Sequence, residues 1–108
     1  MADSLKVLGQ SFPTPSVLTD LYTVPASTQT TISSIIVCNQ HTDFINFSIS
    51  IAVAGIADDP KQYIYYNLPL DTNDTFIATI GLSLNSTDVV RVKTDNAASF
   101  NIFGVEVT

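Results

Sequence analysis

Between Ile45 and Val53 every odd position is large and apolar, and every even position is small or polar. A period of two places Ile45, Phe47, Ile49, Ile51 and Val53 on one face of a half-buried strand. The preceding stretch, Thr28–Asn39, is rich in the β-branched residues that suit strands. Turn-forming residues fill Asn39–Asp43, so these two strands are expected to pair as an antiparallel hairpin. Gly55–Pro60 reads as a loop in which Asp58-Asp59-Pro60 starts a turn. Lys61–Leu70, carrying Tyr63, Tyr65 and Tyr66, predicts a strand ended by Pro69 and the polar run Asp71–Asp74. Further strands are expected over Thr75–Leu82, Val89–Lys93 and Ser99–Val107. In the last of these the apolar positions are even at Phe100 and Ile102, then odd at Phe103, Val105 and Val107. A β-bulge beside Gly104 would produce that change of phase, because one inserted residue sends the following side chains to the other face.

The beginning of the chain follows different rules. Leu5-Lys6-Val7-Leu8 has the makings of a short strand, but Phe12-Pro13-Thr14-Pro15 follows, and proline restricts both itself and the residue before it. Residues 1–17 are therefore read as an extended N-terminal arm, lying along its own domain or adding to a neighbour's sheet edge. Residues 18–108 are read as the sandwich domain, with Leu18–Val24 as its first strand. The sequence has no capped segment of helical period and no heptads. Many short strands separated by turns predict an all-β, antiparallel β-sandwich of jelly-roll type. An immunoglobulin domain is disfavoured, because the chain has no Trp and no second Cys.

Composition adds a tension. Only 13% of the 108 residues are charged, about half the usual share, while 45% are hydrophobic and mean hydropathy is +0.30. A small domain has too much surface to hide that much apolar material easily, so part of it is expected to be covered by other subunits. The net charge is −6, and Lys6, Lys61, Arg91 and Lys93 are too few and scattered to form a phosphate-binding groove. Nucleic acid is not an expected partner. Neither is a membrane, since the charge opposes anionic lipid and no apolar run approaches spanning length. Met1–Ser4 lacks the basic and apolar regions of a secretion signal, so export is not expected.

Candidate chemistry is sparse. His41, the one histidine, falls in a turn beside Asp43 and reads as a turn residue rather than the base of a triad. No G-x-S-x-G turn accompanies the many serines. The carboxylate pairs Asp58-Asp59 and Asp71/Asp74 lie in turns, where Asp commonly bonds the local backbone. Asp71-Thr72-Asn73-Asp74 has part of a calcium-loop pattern but lacks its Gly and distal Glu. One Cys and one His leave zinc without ligands. Cys38, in the run Ile35–Cys38, is expected to act as a small buried hydrophobe. Three Asn-x-Ser/Thr triplets, at Asn46, Asn73 and Asn85, are set aside as chance. Tyr63, Tyr65 and Tyr66 would serve either as packing and contact residues or as a glycan-stacking platform. No catalytic, cofactor or metal residues are assigned, and the chain is expected not to be an enzyme.

Several stretches resemble, in order, a group of small virion structural proteins of tailed bacteriophages, including cyanophages. They are Leu8-Gly9-Gln10, Leu21–Ala26, Ser33–Asn39, Tyr65-Tyr66, Asn73–Phe76, Gly81-Leu82, Asp88–Val90 and Phe103–Val107, of which Leu21–Ala26 is the most distinctive. The resemblance implies a β-sandwich capsid decoration or cement protein on the virion's capsid surface. It implies a homo-oligomer, commonly a trimer, that clamps neighbouring major capsid protein subunits and stabilises the head. A tail, neck or baseplate component, or a glycan-binding β-sandwich module, is the alternative. No contact residues transfer from the resemblance, and the partner-binding surface is left unknown at this stage.

Overall fold

The computed structural model describes residues 2–108. Nine strands follow one another: β1 (Asp3–Ser11), β2 (Thr19–Thr23), β3 (Gln29–Asn39), β4 (Ile45–Ala52), β5 (Tyr63–Leu70), β6 (Thr75–Ala78), β7 (Leu82–Leu84), β8 (Val89–Thr94) and β9 (Ala98–Val107). Every pairing is antiparallel. One sheet has the order β1-β9-β3-β6, with β7 in line with β6 along the same edge of β3, and the other has the order β2-β8-β4-β5. The two sheets pack face to face, as the all-β sandwich reading expected.

The core is the inner face of both sheets. Ile45, Phe47 and Ile49 from β4 meet Ile32, Ile35 and Val37 from β3, Phe100 and Ile102 from β9, and Val90 and Val92 from β8, all of them buried. Phe47 contacts the rings of Phe76 and Phe100 at centroid distances of 5.2 and 6.3 Å. Each such side chain contributes about 1.5–3 kcal/mol by leaving water. The alternation in β4 therefore places its large residues in the core through Ile49, whereas Ile51 is only half-buried and packs at the margin of the core. Val53 lies past the strand end and is exposed.

Three expectations need correction. The first concerns β3 and β4, which do not form a hairpin, since they belong to different sheets. Both edges of β3 are already taken, one by β9 and the other by β6 and β7. The chain instead crosses between the sheets at buried Asn39. Its side-chain Nδ2 shares its two hydrogens among the carbonyls of Asp43, Leu70 and Asp71, and its Oδ1 accepts from the His41 N–H. One amide thus satisfies backbone groups that a crossover would otherwise bury unpaired.

Second, β9 contains no change of phase. Its side chains alternate without a break, with Phe100, Ile102, Gly104 and Glu106 inward and Phe103, Val105 and Val107 outward. The extra residues sit on its two neighbours, between Val7 and Gly9 in β1 and between Ile32 and Ser34 in β3. This inward position requires glycine at residue 104, because a Cβ there would run into the Thr31 carbonyl, and the Leu8 side chain fills the space beside it. The third correction is that Thr75–Leu82 is not one strand but two, β6 and β7.

Of the two places open to the N-terminal segment, the structure shows the one along its own domain. Asp3–Ser11 pairs with β9 as an edge strand, and most of its side chains remain exposed.

Candidate interaction surfaces

The outer face of the β1-β9-β3-β6 sheet follows from the register. Leu5 lies opposite Val105, which lies opposite Thr31, and Val7 lies opposite Phe103. Further along, Asn101 is flanked by Gln10 and Ile36, and Ile36 by Ile77. Directly paired residues point to the same side. Leu5, Val7, Ile36, Ile77, Phe103, Val105 and Val107 therefore share one surface, with Leu5 79% and Ile77 60% exposed. Among the strand residues of this face only Asp3, at a corner, carries a charge. The face spans four strands about 4.8 Å apart and roughly 30 Å of strand, so its footprint is roughly 600 Å². The odd apolar residues at the end of β9, read from sequence as the product of a bulge, are the part of this surface that the sequence makes visible.

Cys38 corrects another expectation. It is half-buried rather than buried, and it faces outward between Ser99 and Thr75 at the end of the same surface. Outward positions of β3 alternate with the buried Val37 and Asn39, so its phase, not its apolar neighbours, decides where it points.

A polar network pins this sheet to the other. Inward-facing Glu106 pairs with Lys6 Nζ at 2.7 Å and accepts from the Tyr22 hydroxyl at 2.6 Å, and that hydroxyl also lies 2.8 Å from Thr30 Oγ1. The bonds from Lys6 and Tyr22 hold the Glu106 carboxyl below its ordinary range, against the effect of burial. Burial, reinforced by the carboxylate, pushes the Tyr22 phenol up to about 12. Sequence reading missed this network because Tyr22 and Glu106 are 84 residues apart.

On the opposite side of the sandwich, the β2-β8-β4-β5 sheet carries a trench. The middle strand β4 presents short side chains outward at Ser48 and Ser50, between the longer ones of β5 and β8. Tyr63 and Tyr66 stand at one wall with rings edge to face, 5.2 Å between centroids. Lys93 stands at the other, and Asp58, Pro60, Asn67 and Ser48 complete a groove of about 500 Å³. A second hollow of about 380 Å³ continues it through Ser48, Asn67 and Lys93 to Asn46 and Asp95. The third tyrosine, Tyr65, turns inward instead and meets the Phe76 ring edge on.

The remaining candidates are local. His41 lies in the turn after β3, where its carbonyl accepts from Thr72 Oγ1. Asp59 accepts from the Lys61 N–H at the start of a short 3-10 turn, Pro60–Gln62. The Asp74 N–H bonds the Asp71 carbonyl, and Asn73 between them has φ of 58°. Among the described residues no three His, Cys, Asp or Glu side chains converge as metal ligands would. Buried Asp88, for which the sequence suggested no chemical role, accepts from the N–H groups of Ala54 and Asn85 and so ties two loops together.

No protein-family model and no curated protein matches this sequence. Solved structures do match its fold. A chain in the acidic stable capsid structure of Helicobacter pylori bacteriophage KHP30 has a TM-score of 0.53 at 13% identity, covering 100% of this chain and 94% of that one. A chain in the structure of infectious bursal disease virus, Gx strain, has a TM-score of 0.51 at 11% identity, and the match covers 97% of this chain. There the matched part is only 30% of the viral chain's length, so the whole sandwich corresponds to one portion of a larger protein. At these identities the likeness is one of fold.

Proposed function

We propose that this chain is a structural protein of a virus particle, a capsid decoration or cement protein. In this reading it docks through the outer face of the β1-β9-β3-β6 sheet onto copies of itself and onto the major capsid protein, and it stabilises the head. The observation that carries the reading is that face: nearly uncharged, with exposed Leu5, Val7 and Ile77 set among uncharged polar residues, and close in extent to the roughly 800 Å² per partner of a standard interface. In a protein of net charge −6, a face with a single charge at its corner is also where a second copy meets the least repulsion. Fold likeness to a chain in a phage capsid structure and to part of a chain in a virus structure supports the particle setting. The strand orders 1-9-3-6 and 2-8-4-5 support a jelly-roll form of the sandwich, in keeping with the same reading.

The mechanism is mechanical. A bound copy stabilises the assembled shell by linkage, because separated subunits offer no matching site. The resemblance to cement proteins favours a homotrimer at the capsid surface as the unit that binds.

The test has two parts. Mass spectrometry of purified particles is expected to give a copy number comparable to that of the major capsid protein, whereas a far lower number would assign the chain to the neck or tail. The double variant Phe103→Asp/Val105→Asp changes only outward side chains, so it is expected to fold and to lose both self-association and attachment. Undiminished attachment by that folded variant would rule this face out as the docking surface.

A further inference from the structure

We infer that the trench on the β2-β8-β4-β5 sheet is a binding site for a neutral saccharide chain. The trench is formed by the amino-acid pattern itself. Ser48, at an outward position of the central strand, leaves the floor low, and the flanking strands place tyrosines on one side and a lysine on the other. Its volume of about 500 Å³ lies within the range of small-ligand sites. The adjoining hollow extends it lengthwise, which suits a chain of linked rings rather than a single compact ligand.

The lining matches sugar chemistry in each part. A pyranose presents an apolar C–H face and an edge of hydroxyls that both donate and accept. Tyr66 is 71% exposed, and the edge of the Tyr63 ring meets it at 85°, so the pair forms an aromatic corner whose electron-rich faces suit C–H groups. Around it lie a carboxylate at Asp58, amides at Asn46 and Asn67, and an ammonium at Lys93, which together supply both acceptors and donors. One of these groups is already positioned, since Asp95 holds Asn46 through its backbone N–H at 3.0 Å and its side-chain amide at 3.2 Å. Lys93 makes no ion pair or side-chain hydrogen bond among the described residues, so its three donors are available.

Charge decides against other ligands. With Asp58 and Asp95 flanking a single lysine, the trench is net negative and does not favour a phosphate, a nucleic acid or an acidic sugar. The trench and the proposed docking face lie on opposite sides of the sandwich. A chain docked through one would present the other to the medium, and the saccharide site does not depend on the docking proposal.

The test is a titration of the isotope-labelled full chain, followed by two-dimensional amide NMR. The probes are maltohexaose, cellohexaose, chitohexaose and mannohexaose, each taken to about 10 mM to reach weak carbohydrate affinities. At least one is expected to shift the amides of Ser48, Tyr63, Tyr66, Asn67 and Lys93. Tyr66→Ala, an exposed position, is expected to weaken that binding about tenfold while leaving the remaining spectrum in place. The inference is overturned if no probe moves these amides, if the shifts map to another surface, or if Tyr66→Ala binds equally well. Binding confined to a sulfated heparin hexasaccharide would overturn the neutral class. Movement of these amides on protein dilution alone would make the trench a contact between copies and overturn the site.

Discussion

Replacing Tyr22 by phenylalanine removes one oxygen from the place where the two sheets are tied together. Tyr22 belongs to β2 of one sheet, and its hydroxyl reaches Glu106 on β9 and Thr30 on β3 of the other. Glu106 in turn holds Lys6 on the edge strand β1. In Tyr22→Phe the carboxylate keeps Lys6 but loses its second partner, and the buried Thr30 hydroxyl loses its one side-chain contact. A hydrogen bond to a charged group contributes about 1.5–3 kcal/mol, so a loss of about 2 kcal/mol is expected at pH 7. For a domain of this size that is a fall of about 10 °C in Tm by circular dichroism.

The pH dependence gives an independent check on the same network. Glu106 titrates below its ordinary 4.5 in the folded protein, so its contribution is complete above that value and is lost as pH falls through the lower folded one. Tyr22 has the opposite sign: with its phenol raised from 10.0 to about 12, its contribution is present below pH 10 and is lost as pH rises toward 12. Tyr22→Phe should therefore flatten the alkaline limb and shorten the acid one, bringing variant and parent closer at both extremes. A variant within about 0.5 kcal/mol of the parent at pH 7, with both limbs unchanged, would refute the reasoning.

Gly104→Ala should be severely destabilising, by more than about 3 kcal/mol, because the new methyl meets the Thr31 backbone, which cannot yield as a side chain would. Urea unfolding of any soluble material would measure it. Asn39→Asp should cost at least about 3 kcal/mol, since it aims a carboxylate at the three carbonyls that the amide now satisfies. Thermal unfolding beside Asn39→Ala, expected to be milder, separates repulsion from lost bonding. Ser50→Ala should be neutral or stabilising by about 1 kcal/mol, because the Ser50 hydroxyl is buried without a hydrogen-bond partner. A clear loss of stability in that variant would show that the hydroxyl is satisfied after all.

The sequence by itself determined the class of fold and much of its outline. The alternation in Ile45–Ala52, the β-branched run in Thr28–Asn39 and the turn residues between segments are local signals, and the structure places β4, β3 and their boundaries where those signals do. Periodicity reports which side chains share a face, and that is a property of a strand alone. It also carried the mark of the proposed docking face, in the odd apolar positions after Ile102. Only the tertiary structure decided what the mark meant. Whether Phe103, Val105 and Val107 face a core or solvent depends on which strands flank β9 and where those strands bulge. Which strand β3 pairs with was likewise beyond local reading, because its edges are filled by β9, β6 and β7, all of them distant in sequence from Asn39. The same holds for the Tyr22–Glu106–Lys6 network and for the trench under Tyr66. Each gathers side chains from strands far apart in the chain, and proximity of that kind follows from sheet order, which no single segment encodes.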